Sequence, residues 1–112
     1  MDILTECERL QGELQAANDE FYKAERCKYF EHYDSTHPLE TVHLKLGRKW
    51  HKLDIGTSGA YMVNIRTGMV HGIKGYGVPH PKVIHGRIDL ITGAQLYPRR
   101  WTRAGTPPIP NA

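Results

Sequence analysis

The feature that most constrains this chain is a change of period across one proline. The apolar or small residues Ile3, Cys7, Leu10, Leu14, Ala17, Phe21 and Ala24 recur in alternating steps of four and three, a spacing that lines up one face of an α-helix. His37-Pro38 ends that pattern, because the residue before a proline is kept out of the α region. Beyond it Val42, Leu44 and Leu46 alternate with Thr41, His43 and Lys45, the period of two of a half-buried strand. One long helix followed by strands is the frame that everything else must fit. With 112 residues, 39% of them hydrophobic, there is material for one core and not for two.

Within the helical segment Thr5 and Glu8 have the spacing of a capping box. Gly12 falls on the outer face and weakens the helix modestly. The apolar stripe is flanked by Glu6, Glu13 and Glu20 on one side and by Gln11, Asn18 and Glu25 on the other. Paired with itself in either orientation, such a seam sets carboxylates against one another with no Lys or Arg to relieve them. A homodimer through this seam is disfavoured, and the helix is expected to pack across its own sheet, its glutamates finding basic company there. Cys7 and Cys27 lie twenty residues apart in the same helix, which separates them by about 30 Å and prevents a bridge. They read as reduced thiols.

Four strands follow as an antiparallel meander: Thr41–Leu46, Lys49–Ile55, Ala60–Ile65 and Met69–Lys74, with turns at Gly47-Arg48, at Gly56-Thr57-Ser58-Gly59 and at Arg66-Thr67-Gly68. The stretch Gly75-Tyr76-Gly77-Val78-Pro79-His80-Pro81 is turn-rich and predicts no regular element. Lys82–Ile88 is a last short strand. The expected fold is α+β: an acidic helix over 1–34, a meander of four to five strands over 40–90 and a basic aromatic segment over 91–103, all in one domain. A Pro-rich tail over 104–112 has too few apolar groups for a core and is expected to be extended or disordered.

Charge divides along the same line. Residues 1–34 hold nine Asp/Glu against four Lys/Arg, a balance of −5, and residues 35–112 hold eleven Lys/Arg against three Asp/Glu, a balance of +8. Lys45, Arg48, Lys49, Lys52, Lys74, Lys82, Arg87, Arg99, Arg100 and Arg103 are interleaved with Trp50, Tyr61, Tyr76, Tyr97 and Trp101. Cations hold phosphates and aromatic faces stack unpaired bases. The residues expected to meet a nucleic acid or another anionic partner are Lys49, Trp50, Lys52, Lys74, Tyr76, Arg99, Arg100, Trp101 and Arg103. Arg99, Arg100 and Arg103 beside Trp101 are expected to lie farthest from the acidic helix.

From Lys49 to Gly77 the chain carries Lys-Trp-His-Lys-Leu-Asp, then Gly-Ala-Tyr-Met-Val, then Thr-Gly-Met-Val-His-Gly-Ile-Lys-Gly-Tyr-Gly. This pattern resembles a hairpin found in small, mostly uncharacterised proteins encoded by bacteriophages. The resemblance implies a viral accessory protein, and it carries no catalytic residue with it.

Other chemistries find little footing. Gly72-Ile73-Lys74-Gly75 matches a KH-type GXXG loop in letters but ends a strand instead of joining helices. Gly72, Gly75 and Gly77 have the wrong spacing for a dinucleotide loop, and Gly-Lys-Ser/Thr is absent. Ser58 lacks the strand–elbow–helix context of a hydrolase nucleophile. Seven histidines contain no helical metal pair, and His43, His51 and His71 are the one set whose strands could bring them to a common face. The expectation is a protein that is not an enzyme, needs no cofactor or metal, and is soluble and cytoplasmic, with no apolar run long enough to cross a bilayer. It acts by binding an anionic macromolecule such as single-stranded nucleic acid or a nucleoprotein complex. The alternative is an inhibitor that contacts a host enzyme or defence protein through its sheet edge and tail.

Overall fold

A computed structural model describes residues 1–29, 41–100 and 102–110, the side chains of 25–29 excepted. Helix α1 spans Ile3–Tyr29, so the expected extension to residue 34 lies outside the described residues. Its cap is Asp2 and not the Thr5–Glu8 pair: the Leu4 N–H donates to Asp2 Oδ1 at 3.1 Å and the Thr5 hydroxyl to Oδ2 at 2.8 Å. An aspartate one residue ahead of the first turn reaches its orphan amides more directly than Thr5, which already lies inside the helix.

Cys7, Leu10 and Leu14 of the predicted stripe are fully buried. Farther along the stripe rotates. Asn18, expected on a flank, is fully buried, while Phe21 is 49% exposed. A straight helix turns every 3.6 residues, so a face drawn with a seven-residue repeat drifts, and Asn18 lies one turn beyond Leu14 on the buried side.

Strands β1 (Val42–Lys45), β2 (Trp50–Ile55), β3 (Ser58–Asn64), β4 (Met69–Gly75) and β5 (Val78–Arg87) form one five-stranded antiparallel sheet in the order β1-β2-β3-β4-β5. The turn before β3 is only Gly56-Thr57, since Ser58 already pairs with Ile55. The larger correction concerns β5, a ten-residue strand that includes Pro79 and Pro81. Proline lacks a donor and is excluded from central strands, but β5 is at the edge. Residues two apart point their nitrogens the same way, so both missing donors fall on one side. Register shifts along the β4–β5 pair take up the remaining irregularity.

Alternation places Val42, Leu53, Ile55, Tyr61, Val63 and Val70 on the face that meets Cys7, Leu10 and Leu14 of α1. The segment after β5, expected as a basic aromatic stretch, is a set of short turns that closes this core. A 3-10 turn at Ile88–Leu90 leads to α2 (Gly93–Leu96) and a second 3-10 turn at Tyr97–Arg99. Ile88, Ile91 and Leu96 are buried, each adding roughly 1.5–3 kcal/mol of apolar burial. Thr92 and Gln95 form a reciprocal capping box on α2. Gly93 sits against the α1 backbone: a β-carbon there would lie 2.5 Å from the Glu13 carbonyl carbon. The tail also docks. Ile109 is 6% exposed and its N–H donates to the His85 carbonyl at 2.8 Å, so one isoleucine ties the Pro-rich segment to β5.

Each edge of the sheet has an engaged residue, His85 on β5 and Val42 on β1. The β1 backbone at Val42 is held by two side chains of α1, Gln11 Nε2 donating to its carbonyl at 2.9 Å and Gln15 Oε1 accepting from its N–H at 2.8 Å. One turn of spacing between the glutamines imitates the donor and acceptor of a neighbouring strand.

Candidate nucleic-acid interface

Pairing register decides which side chains share the face turned away from α1. Lys52 pairs with Met62, Met62 with His71 and His43 with Asp54, so these residues stand together on that face with Trp50 and Lys45. His51 pairs with Val63 and falls on the opposite side. The three strand histidines therefore do not share a face. Among the described residues no group of three His, Cys, Asp or Glu side chains gathers as a metal site. His51 instead accepts the Gly47 N–H on Nδ1 at 3.2 Å.

Tyr76, at the tip of the β4–β5 hairpin, reaches across to β1 and β2. Its hydroxyl accepts from Lys45 Nζ at 2.8 Å and donates to Asp54 Oδ2 at 3.0 Å. The carboxylate of Asp54, a residue only 2% exposed, is 3.3 Å from Lys45 Nζ. Lys45 and Lys52 also lie 5.5 and 5.1 Å from the centre of the Tyr76 ring, within cation–π range. These contacts hold the Lys45 ammonium above its ordinary pKa, the Tyr76 hydroxyl first and Asp54 second. Tyr76 thus clamps the hairpin, with its ring engaged by the chain's own lysines.

Trp50 is half-buried, with His71 edge-on at 4.9 Å. Beside it the β1–β2 and β3–β4 turns enclose a cavity of about 310 Å³ lined by Arg48, Lys49, Trp50, Asn64, Ile65 and Arg66. The two turns are tied together by the Ile65 N–H donating to the Lys49 carbonyl at 3.1 Å. Gly47 keeps the β1–β2 turn tight, since a β-carbon there would collide with the Trp50 carbonyl oxygen.

Of the expected contact residues, Trp50, Lys52 and Tyr76 come together on this face, with Lys49 at its rim. Lys74 is exposed near the end of β4. The others lie elsewhere. Tyr97 donates from its hydroxyl to Asn18 Oδ1 at 2.9 Å, and the Arg100 guanidinium sits 5.7 Å from the Tyr97 ring centre. Arg99 bonds the Pro107 carbonyl, and Arg103 is exposed in the tail approach. Arg99 and Arg100, expected farthest from the acidic helix, belong to the segment packed against it, because Tyr97 is drawn to the buried Asn18. Trp101 lies outside the described residues.

Glu6 and Glu13 of α1 also find their partner in an unexpected place. Arg9, on the same helix, bonds Glu6 and Glu13 at 2.8 Å each and reaches the Ile88 and Ile91 carbonyls at 2.7 and 3.1 Å. Pairs three and four residues apart on one helix face form without any tertiary search, so Glu6 and Glu13 draw no sheet cation away. The cleft-lining residues outside the expected contact set are Arg48, Asn64, Ile65 and Arg66. Arg48 was signalled by its charge among the interleaved cations, the other three only by the turn chemistry of Asn64 and Gly68, which identifies a turn but not what it faces.

Among the described residues no helix is long and apolar enough to cross a membrane. Comparison with family models, with curated proteins and with solved structures finds no match to this chain.

Proposed function

We propose that this chain is a small, non-enzymatic accessory protein that binds an anionic macromolecule, single-stranded nucleic acid, on the sheet face turned away from α1. The observation that carries the proposal is the convergence of Trp50 with Lys52, Lys49, Arg48 and Arg66 on one face and its rim. Cations there would hold the strand backbone, and the half-buried indole offers a surface for stacking. The likeness of residues 49–77 to bacteriophage hairpins agrees with an accessory role. The other reading, inhibition of a host protein through a sheet edge and tail, has less support, because Val42 on β1 and His85 on β5 already have edge partners.

The test is fluorescence anisotropy of a labelled single-stranded oligonucleotide over a salt series. Contact with about three phosphates gives a roughly 20-fold loss of affinity between about 50 and 200 mM salt. Absence of binding at the low end of that range overturns the proposal.

A further inference from the structure

We infer that the cleft between the β1–β2 and β3–β4 turns is a seat for one nucleotide, its base against Trp50 and its phosphate among Arg48, Lys49 and Arg66; this rests on the reading of the face as a single-strand surface. Four observations lead there. The volume, about 310 Å³, is at the lower end of small-ligand sites. The chemistry is divided as a nucleotide requires, an indole and the Ile65 side chain for a flat apolar face and three cations for an anion. None of those three cations has a carboxylate partner among the described residues. Finally, the site is built in advance: the backbone bond from Ile65 to Lys49 joins the two turns, and His71 props the indole.

Asn64 supplies the polar discrimination. Its Oδ1 already accepts the N–H groups of Arg66 at 2.9 Å and Thr67 at 3.2 Å. That fixes the amide so that its two Nδ2 protons are the groups left to offer. A base carbonyl oxygen is the complementary acceptor, and a pyrimidine or guanine carries one. A phosphopeptide would satisfy the cations but would leave the indole and the oriented amide without a partner.

The experiment compares the full chain binding to a thymidine 12-mer and to an abasic sugar-phosphate 12-mer of equal charge, read by tryptophan emission and by affinity at low salt. The thymidine strand is expected to quench emission and to bind about fivefold tighter or more, the range of one base–aromatic stack. Trp50→Leu should abolish that quench and bring the two affinities together, while Trp50→Phe keeps part of the difference. Arg66→Glu, on an exposed turn, should weaken both strands without lowering the melting temperature, which separates loss of the site from loss of the fold. Equal affinity of the native chain for both strands, or a quench that survives in Trp50→Leu, overturns the seat and leaves the face as a general anion surface. If neither strand binds, the seat and the broader reading fall together.

Discussion

His85 is 1% exposed, and neither ring nitrogen has a hydrogen-bond partner. Its ring stands edge-on to Tyr61 at 5.6 Å. Burial, helped by the nearby charges of Arg99 and His71, pulls its pKa from 6.5 to about 4. Above pH 6.5 the ring is neutral in folded and unfolded chains alike and stability is at its full value. Between 6.5 and about 4 only the unfolded chain takes up the proton, so stability falls as pH falls. The loss approaches about 3 kcal/mol, an order-of-magnitude figure. Urea midpoints measured across that range should decline for the native chain and decline less for His85→Phe; parallel curves would refute the assignment. Two glycines make an opposed pair. At Gly93 a methyl group would meet α1 backbone within 2.7 Å, so Gly93→Ala should cost about 1–3 kcal/mol. At Gly12, mid-helix and exposed, a β-carbon meets nothing within 4 Å, and Gly12→Ala should raise stability by roughly 0.5–1 kcal/mol. Equilibrium unfolding of the two variants should move in opposite directions.

At the level of elements, the Gln11–Gln15 pair of α1 replaces a missing strand beside Val42. Changing both to leucine keeps helix propensity nearly constant but leaves the Val42 N–H and carbonyl with no partner from the helix. The expected result is a loss of about 1–3 kcal/mol, together with self-association visible by light scattering, since an uncapped edge recruits other strands. A monomeric variant of unchanged stability would show that the glutamines do not guard the edge. This arrangement also marks the limit of what the sequence discloses. Helix α1 and the first four strands were legible because period and turn chemistry are local: Leu10 and Leu14 one turn apart, Leu53 and Ile55 alternating, Gly68 closing a hairpin. Lys82–Ile88 was legible as a last strand, but the start of β5 was hidden because Pro79 and Pro81 are acceptable only at an edge, and edge position is a property of the whole sheet. The docking of α2 was hidden for a similar reason: its Gly93 and Leu96 acquire meaning only beside Glu13 and Tyr61, far away in the chain. Trp50 and Lys52 were named as expected contact residues from composition, with Arg48 among the interleaved cations, whereas Asn64 and Arg66 come beside them because one backbone bond draws two turns together.

At the scale of the whole molecule, residues 1–34 carry a balance of −5 and the remainder +8, and within α1 Arg9 holds Glu6 and Glu13. Positive charge is divided between two places of different structural meaning. Arg99 and Arg100 belong to the segment that holds Tyr97 and the tail against the body, whereas Lys49 and Arg66 are exposed on turns around the Trp50 cleft. Equal changes of net charge made at the two places should therefore act differently. Lys49→Glu with Arg66→Glu should lower single-strand affinity by about tenfold or more and reduce the salt slope by about 1.4, the share of two phosphate contacts. The melting temperature should hardly move. Arg99→Glu with Arg103→Glu alters net charge by the same amount, yet should leave affinity within about twofold at the same salt, while Arg99 takes its bond to the Pro107 carbonyl with it and loosens the tail. Anisotropy titrations of both double variants, each paired with a thermal melt, decide the matter. Equal losses of affinity would mean that binding follows overall charge alone and that the sheet face has no privileged role.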